Sequence, residues 1–331
     1  KRTMNSKVTG MKTWSKLAKN KRRPSEYEIV TTNLQTRHRH RDQAYELSPA
    51  PDLSMNEWYR KYVFDSPLQH DDWEEFRDPD ALIYRVYTRN QDAQEEFIDG
   101  VLSEHNEIGH DQDLQPEWLT VLEEMYTPRR YLQTALQMSA AYILQVAPAS
   151  TITACAGFQE GDEFRWLQRV AYRTRELQMT HPERGFSKNE RDHWENSPAF
   201  QGLRELMEKV LIAYDWGENF VASNLVAKVA ADETLRELAD VARSFRDPLL
   251  ASLAENQLRD SDRSRRWSAE LVKFCTDAKS ENKTAIKGWI EAWTPLAKDA
   301  ITAYCLALPA GEIAAKSAIS RMEAFHRSLE I

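Results

Sequence analysis

The sequence predicts an all-α protein, a multi-helix bundle preceded by a long irregular N-terminal arm. Three observations carry this. Only ten glycines occur in 331 residues, about half the roughly 7% usual in proteins, and few glycines mean few tight turns. From Leu82 onward, apolar residues recur at spacings of three and four, the period of a buried helix face. Five of the thirteen prolines (Pro24, Pro49, Pro51, Pro67, Pro79) fall in the first eighty residues, where proline removes backbone donors and restrains its predecessor. The expected organisation is an arm over residues 1–80, a helical domain over 81–308 and a C-terminal extension over 309–331.

The arm is extended or loop-like by this reading, yet it carries Trp58, Tyr59, Tyr62, Phe64, Trp73 and Phe76. A disordered linker avoids such residues, so the arm is expected to lie across another surface. Trp14, Tyr27, Trp58, Tyr59 and Trp73 are the candidate anchors of a subunit interface, because large aromatics dominate such contacts; core packing is the competing reading.

Within the body, Tyr84, Tyr87, Phe97 and Leu102 open one amphipathic helix, and Trp118, Leu119, Leu122 and Tyr126 another. Thr127-Pro128 reads as an N-cap with proline in the first turn. The helix it opens, through Leu136 and Ile143, stops before Pro148 and has no charge after Arg130, which predicts burial on most sides. Further helices are expected around Phe164–Met179, Phe200–Val229, Leu235–Phe245, Leu249–Leu258, Trp267–Phe274 and Ile286–Leu308.

Charge is distributed unevenly. Residues 1–41 hold twelve Lys/Arg against two acids, +10, and the remainder holds 32 basic and 50 acidic residues, −18. Trp14, Leu17, Tyr27, Ile29 and Val30 interrupt the basic arm, which favours docking on an acidic protein over a nucleic-acid tail, with a solvated end as the competing reading. Cys155, Cys275 and Cys305 lie far apart in sequence, which fits neither a disulfide framework nor a CxxC zinc site and suits a reducing cytoplasm. The start of the chain offers no apolar signal core. The uncharged stretch Tyr131–Gln159 is interrupted by Gln133, Gln137, Gln145 and Pro148, so it reads as core and not as a membrane span.

Chemistry-bearing motifs are sparse. No two glycines lie closer than Gly157 and Gly161, which excludes GxGxxG and Walker loops, and no GxSxG elbow occurs. A helical bundle can hold two irons on one Glu from each of two helices and a Glu-x-x-His pair from each of two others. Three such pairs occur: Glu107–His110, Glu190–His193 and Glu323–His326. Each sits in a polar or terminal context, whereas iron ligands belong on otherwise buried helices. The segment Phe200–Val229 supplies Glu205, Glu208, Asp215 and Glu218 but no histidine. His38 and His40 stand among Arg37, Arg39 and Arg41, whose charge repels a cation. Asp71-Asp72 reads as capping or an interface contact. The interior is therefore expected to be hydrocarbon and aromatic where a catalytic bundle places carboxylates and imidazoles.

Longer words are distinctive. Thr13-Trp14-Ser15-Lys16-Leu17-Ala18, Arg23-Pro24-Ser25-Glu26-Tyr27-Glu28-Ile29-Val30 and Ser66-Pro67-Leu68-Gln69-His70-Asp71-Asp72-Trp73 stand in the arm. In the body are Ala147-Pro148-Ala149-Ser150-Thr151-Ile152, Arg165-Trp166-Leu167, Gly202-Leu203-Arg204-Glu205-Leu206-Met207-Glu208-Lys209 and Asp215-Trp216-Gly217-Glu218. Over roughly Met11 to Leu308 the chain resembles β subunits of the hydroxylase component of toluene/o-xylene-type multicomponent diiron monooxygenases. Arg37–Arg41 and Pro309–Ile331 are outside the likeness.

The resemblance implies a ferritin-like bundle without catalytic, cofactor-binding or metal-ligating residues of its own. It implies α and γ partner subunits in an (αβγ)2 assembly, with the diiron centre in α. It further implies an effector protein, a Rieske ferredoxin and an NADH-linked reductase, with no nucleic acid and no membrane. The reaction of such a complex inserts one oxygen atom into an aromatic hydrocarbon, or epoxidises an alkene. Two rival readings stand beside it: a self-sufficient helical diiron oxidase using the Glu-x-x-His pairs, and a cytoplasmic helical adaptor.

Overall fold

A computed structural model describes residues 23–34, 52–309 and 311–331. Two short arm helices come first, α1 (Glu26–Thr31) and α2 (Ser54–Tyr59). The body contains α3 (Tyr84–Glu107), α4 (Pro116–Val121), α5 (Arg129–Val146), α6 (Ser150–Thr180), α7 (Glu190–Asn196) and α8 (Pro198–Leu211). After these come α9 (Trp216–Phe220), α10 (Lys228–Ser244), α11 (Pro248–Ala278), α12 (Ser280–Leu306) and α13 (Gly311–Ser328). A π-helical segment, Val221–Ala227, joins α9 to α10 without a break.

Side-chain bonds fix the direction of the central helices. Gln137 on α5 reaches Glu160 on α6 and Leu144 lies against Gly157, while Arg129 and Ser139 reach Thr234 and Asn219, so α5 is antiparallel to both α6 and the α9–α10 rod. Gln159 pairs with Asn224 and Glu163 with Lys228, which makes α6 and α10 parallel. Asn224 meets Ser268 and Lys228 meets Ser261, so α11 runs back. Two antiparallel hairpins joined by one long crossover, residues 181–215, is the ferritin-like arrangement. Across one flank lie α8, α12 and α13, which share with α5 and α10 the larger apolar core around Phe200, Leu203, Val226 and Tyr304.

Several boundaries differ from the sequence expectation. Thr127 does not cap α5: its hydroxyl donates back to the Glu123 carbonyl at 3.1 Å, and the chain passes from a π turn (Leu122–Tyr126) into α5. The stretch expected as one helix over Phe200–Val229 breaks at residues 212–215, where Asp215 accepts from the amides of Gly217 and Glu218 and caps a new start. Conversely, Leu249–Leu258 and Trp267–Phe274 are parts of the single helix α11. The segment expected as a C-terminal extension folds into the body, burying Ala314, Ala315, Ala318 and Met322 of α13. Helix α5 buries Leu132, Leu136, Ala140, Ile143 and Val146, and only Met138, 51% exposed, and Gln145 are exposed along it.

The described part of the arm lies on the chain's own bundle. Phe76 and Leu68 are fully buried. Gln69 and Asn282 exchange two bonds: the Gln69 amide donates to Asn282 Oδ1 at 2.9 Å and Asn282 Nδ2 donates to the Gln69 carbonyl at 2.7 Å. Ser66 donates to Asp215 Oδ1 at 2.9 Å.

Close approach of α8 and α12 depends on Gly202: a Cβ there would stand 2.6 Å from Ala300 Cα and 3.0 Å from its nitrogen. Helix backbone cannot yield as a flexible side chain would. Gly202→Ala is expected to destabilise the chain by about 1–3 kcal/mol, read as a lower denaturation midpoint in urea; an unchanged midpoint would show that the helices are not in contact here.

Candidate functional site

At mid-height the bundle interior is charged. Glu163 of α6, Lys228 and Asp232 of α10 and Ser261 of α11 converge, all four buried. The Lys228 ammonium lies 2.5 Å from Glu163 Oε1 and 3.4 Å from Asp232 Oδ1, and it donates to Ser261 Oγ at 3.2 Å. Ser261 in turn donates to Asp232 Oδ1 at 2.8 Å. Burial alone works against the ammonium, but Asp232 and Glu163 outweigh it and hold Lys228 above its ordinary pKa. Arg265 ties the group outward to Glu233 at 2.8 Å, and Arg321 of α13 closes on Glu233 and Glu237.

One helical turn below, a neutral layer continues it: Asn224 bridges Gln159 and Ser268, donating to each at 3.0 Å. To one side is a second ionic group. Asp162 pairs with Arg263 and accepts from Gln91 at 2.6 Å and from Tyr87 at 3.1 Å. Asp260 accepts from Arg165 at 2.8 Å and from the Trp166 indole at 3.0 Å. The Gln91 amide donates to both carboxylates, reaching Asp260 at 3.0 Å. Burial, reinforced by the neighbouring Asp260 charge and opposed by Arg263, pushes the Asp162 carboxyl up to about 7.

The expectation of a purely hydrocarbon and aromatic interior is thus corrected, since four carboxylates lie inside, each facing a lysine or an arginine. These residues do not fit a pair of irons. The layer has no histidine, and its central position is taken by a protein ammonium. Among the described residues, no three His, Cys, Asp or Glu side chains are grouped to hold a metal ion.

The Glu-x-x-His pairs lie on separate elements. Glu107 is exposed at the end of α3, while His110 meets Asp247 at 3.1 Å. Glu190 accepts from the Ser187 amide at 2.6 Å. Glu323 pairs with Lys298 at 2.5 Å, and His326 Nε2 meets the Leu225 carbonyl at 2.7 Å. Cys155, Cys275 and Cys305 are buried free thiols, and burial pushes their pKa values up. Asp72 caps a short turn by accepting from the Glu74 amide, and Asp71 pairs with Lys279.

Of the candidate anchors, Trp14, like His38 and His40, lies outside the described residues. Tyr27 is buried and accepts from the Asp78 amide at 2.8 Å. Tyr59 is buried and donates to the Gln145 carbonyl at 3.2 Å. Half-buried Trp58 packs on Tyr62 and Tyr214 and donates to the Tyr142 hydroxyl at 3.3 Å. Trp73, also half-buried, stands edge-on to Trp216 with centroids 5.0 Å apart. All four described anchors thus make contacts within the chain.

Residues 58–279 match the family model described as Methane/Phenol/Alkene Hydroxylase. The chain belongs to that family. It is 46% identical over 295 residues, 89% of each protein, to the subunit beta of the hydroxylase component of the toluene-4-monooxygenase system of Ectopseudomonas mendocina. It is 21% identical to the small subunit of the hydroxylase component of propane 2-monooxygenase of Rhodococcus jostii, over 86% of this chain and 77% of that one. A solved structure of toluene 4-monooxygenase, with toluene bound in the resting active site, superposes with a TM-score of 0.85. That match is 46% identical and covers 89% of this chain and 96% of the other. Phenol hydroxylase from Pseudomonas sp. OX1 shares the fold at TM-score 0.81, with 18% identity and coverage of 100% and 98%.

The charged layer escaped the sequence reading because its residues interrupt the apolar period. Gln159 and Glu163, Asn224, Lys228 and Asp232, and Ser261 and Arg265 recur at intervals of four. Polar residues stacked on one face of otherwise buried helices were the available signal.

Two outcomes follow from this geometry. Lys228→Met leaves two buried carboxylates without their ammonium and is expected to cost about 3–5 kcal/mol; Lys228→Met with Glu163→Gln and Asp232→Asn should recover most of it, both measured by chemical denaturation. A carboxyl raised from 3.8 to about 7 on folding gives stability that is fully present below the lower value and lost as pH rises through the upper one. Asp162→Asn should therefore flatten the fall in unfolding free energy between about pH 4 and about pH 7; a parent-like slope would assign that fall to other groups.

Proposed function

We propose that this chain is the non-catalytic β subunit of a soluble diiron monooxygenase hydroxylase, with the chemistry in a partner α subunit. The single observation that carries the reading is the Lys228 ammonium, paired with Glu163 and Asp232 at the centre of the bundle. A fixed positive charge among the carboxylates opposes a dication there by direct repulsion. The 46% identity to a hydroxylase subunit beta supports the same assignment. The chain then carries no cofactor, and the diiron centre belongs to α within an (αβγ)2 assembly. An effector protein, a Rieske ferredoxin and an NADH-linked reductase serve the complex.

The reaction in this reading inserts one atom of O2 into an aromatic hydrocarbon and reduces the other to water. The identity to the toluene-oxidising relative favours an aromatic substrate over the propane of the more distant relatives. The free buried thiols suit a reducing cytoplasm. Among the described residues no helix is long and apolar enough to cross a membrane.

The mechanical contribution of the chain is surface. Phe164, Tyr172 and Met179 lie along one side of α6 and are 48%, 52% and 68% exposed. Leu53, Met55 and Phe64 are exposed on the arm. Exposed apolar residues in such number suit an obligate interface, typically 2,000 Å² or more. The half-buried Trp58 and Trp73 are positioned to contribute their outer edges, while Tyr27 and Tyr59 act by holding the arm in place. Co-expression with the neighbouring hydroxylase chains should give one complex with equal amounts of α and β and with iron in α alone. A monomeric chain carrying about two irons and oxidising hydrocarbon by itself would sink the proposal.

A further inference from the structure

An open cavity of about 560 Å³ lies where the arm meets the junction of α8, α9 and α12, a size within the range of clefts that hold a ligand. Its walls are aromatic: Tyr62 of the arm, Tyr214 of the α8–α9 link and Trp293 of α12. Tyr62 stands edge-on to Tyr214 with centroids 5.7 Å apart, and Trp58 lies 4.8 Å from Tyr214. Ile212, 63% exposed, extends the apolar lining. Two carboxylates, Asp215 and Glu218, face the same space. Asp215 Oδ1 accepts from Ser66 and from the amides of Gly217 and Glu218, and Glu218 Oε1 accepts from the Trp293 indole at 3.1 Å. Among the described residues neither carboxylate meets a lysine, an arginine or a histidine. Burial holds Asp215 above the ordinary carboxylate pKa, offset by those amide and hydroxyl donors and by no cation. The lysine in the lining, Lys209, is held by Glu205 at 2.6 Å.

We propose that this cavity receives the guanidinium of an arginine presented by a partner subunit, with Glu218 and Asp215 as its counter-charges and Tyr214 and Trp293 as its stacking walls. Ring faces of tyrosine and tryptophan attract a cation within about 6 Å, and Lys61 already stands 4.7 Å over the Tyr62 ring. A guanidinium has a planar face that stacks on such rings and a fork of donors suited to carboxylates, and it sheds water more readily than an ammonium does. A partner seated over the opening excludes solvent, which strengthens the attraction between guanidinium and carboxylate. The source of the arginine rests on the reading of this chain as a hydroxylase subunit; the chemistry of the cavity does not.

Two measurements test it. In saturation-transfer NMR, N-ethylguanidinium at millimolar concentration should bind the full chain by itself and lose that binding in Glu218→Gln, which keeps an acceptor for the Trp293 indole and removes the charge. The assembled hydroxylase should not bind the probe, because the partner's arginine fills the cavity. In co-expression with the hydroxylase chains, Glu218→Gln should weaken association of the subunit about tenfold or more, and Glu218→Lys should weaken it further, both read from dissociation rates of the purified complex. No probe bound by the free native chain, equal binding by Glu218→Gln, or equal binding by the assembled complex would each overturn the proposal, the last by showing that the cavity takes a free organic cation. A native chain that does not co-purify with α sinks the subunit reading and this partner with it. A native chain that does so while Glu218→Lys associates as tightly sinks the arginine site and leaves the subunit reading standing.

Discussion

A positive charge enclosed by helices is the constraint around which this bundle is arranged. Lys228 is buried, so the helices facing it must present oxygen acceptors at its height. A one-residue slip of α6 or α11 would turn Glu163 or Ser261 away and leave charge without a partner in a medium of low dielectric constant. Buried ion pairs add little net free energy compared with well-packed hydrocarbon. Their consequence here is register: three helices with otherwise interchangeable apolar faces are locked at one relative height.

The peripheral charges extend the same logic outward. Arg265 hands the Asp232 and Glu233 carboxylates on to Arg321 of α13, which is why the last helix is part of the body. On the opposite side Arg165 and Arg263, through Asp260 and Asp162, tie α6 to α11, and Gln91 brings α3 into the group. The result is a bundle whose centre is ionic and whose flanks are hydrocarbon. The outer side of α5 and α6, free of charge between Tyr131 and Gln159, is left to a partner surface in the proposed assembly. The arm plays both parts, burying Leu68 and Phe76 in its own chain while exposing Met55 and Phe64.

Much of the fold was legible in the residues. Low glycine content and the 3.6-residue period identify an all-helical body, Pro148 and Pro198 mark real boundaries, and the proline-rich start has only short helical turns where it is described. The differing boundaries have two causes. Residues 160–163 and 259–266 fall between the expected helices because their charges interrupt the apolar spacing. In the fold Asp162 and Glu163 of α6 and Asp260, Ser261 and Ser264 of α11 are buried, and the break in apolar periodicity is the trace of the ionic layer. The stop at residues 212–215 was missed for the converse reason: Asp215 caps a helix in mid-run, and apolar spacing does not register a cap.

What the sequence alone determined is the class of structure, the family likeness and the absence of phosphate-binding and nucleophile motifs, since these depend on local spacing and on words of adjacent residues. Only the tertiary structure decided that Glu163 and Ser261 meet the Lys228–Asp232 pair, because they come from three separate helices. Sequence spacing reports which face a residue occupies on its own helix. Which face lies opposite, and whether a carboxylate there finds a metal, an ammonium or water, is set by how the helices pack.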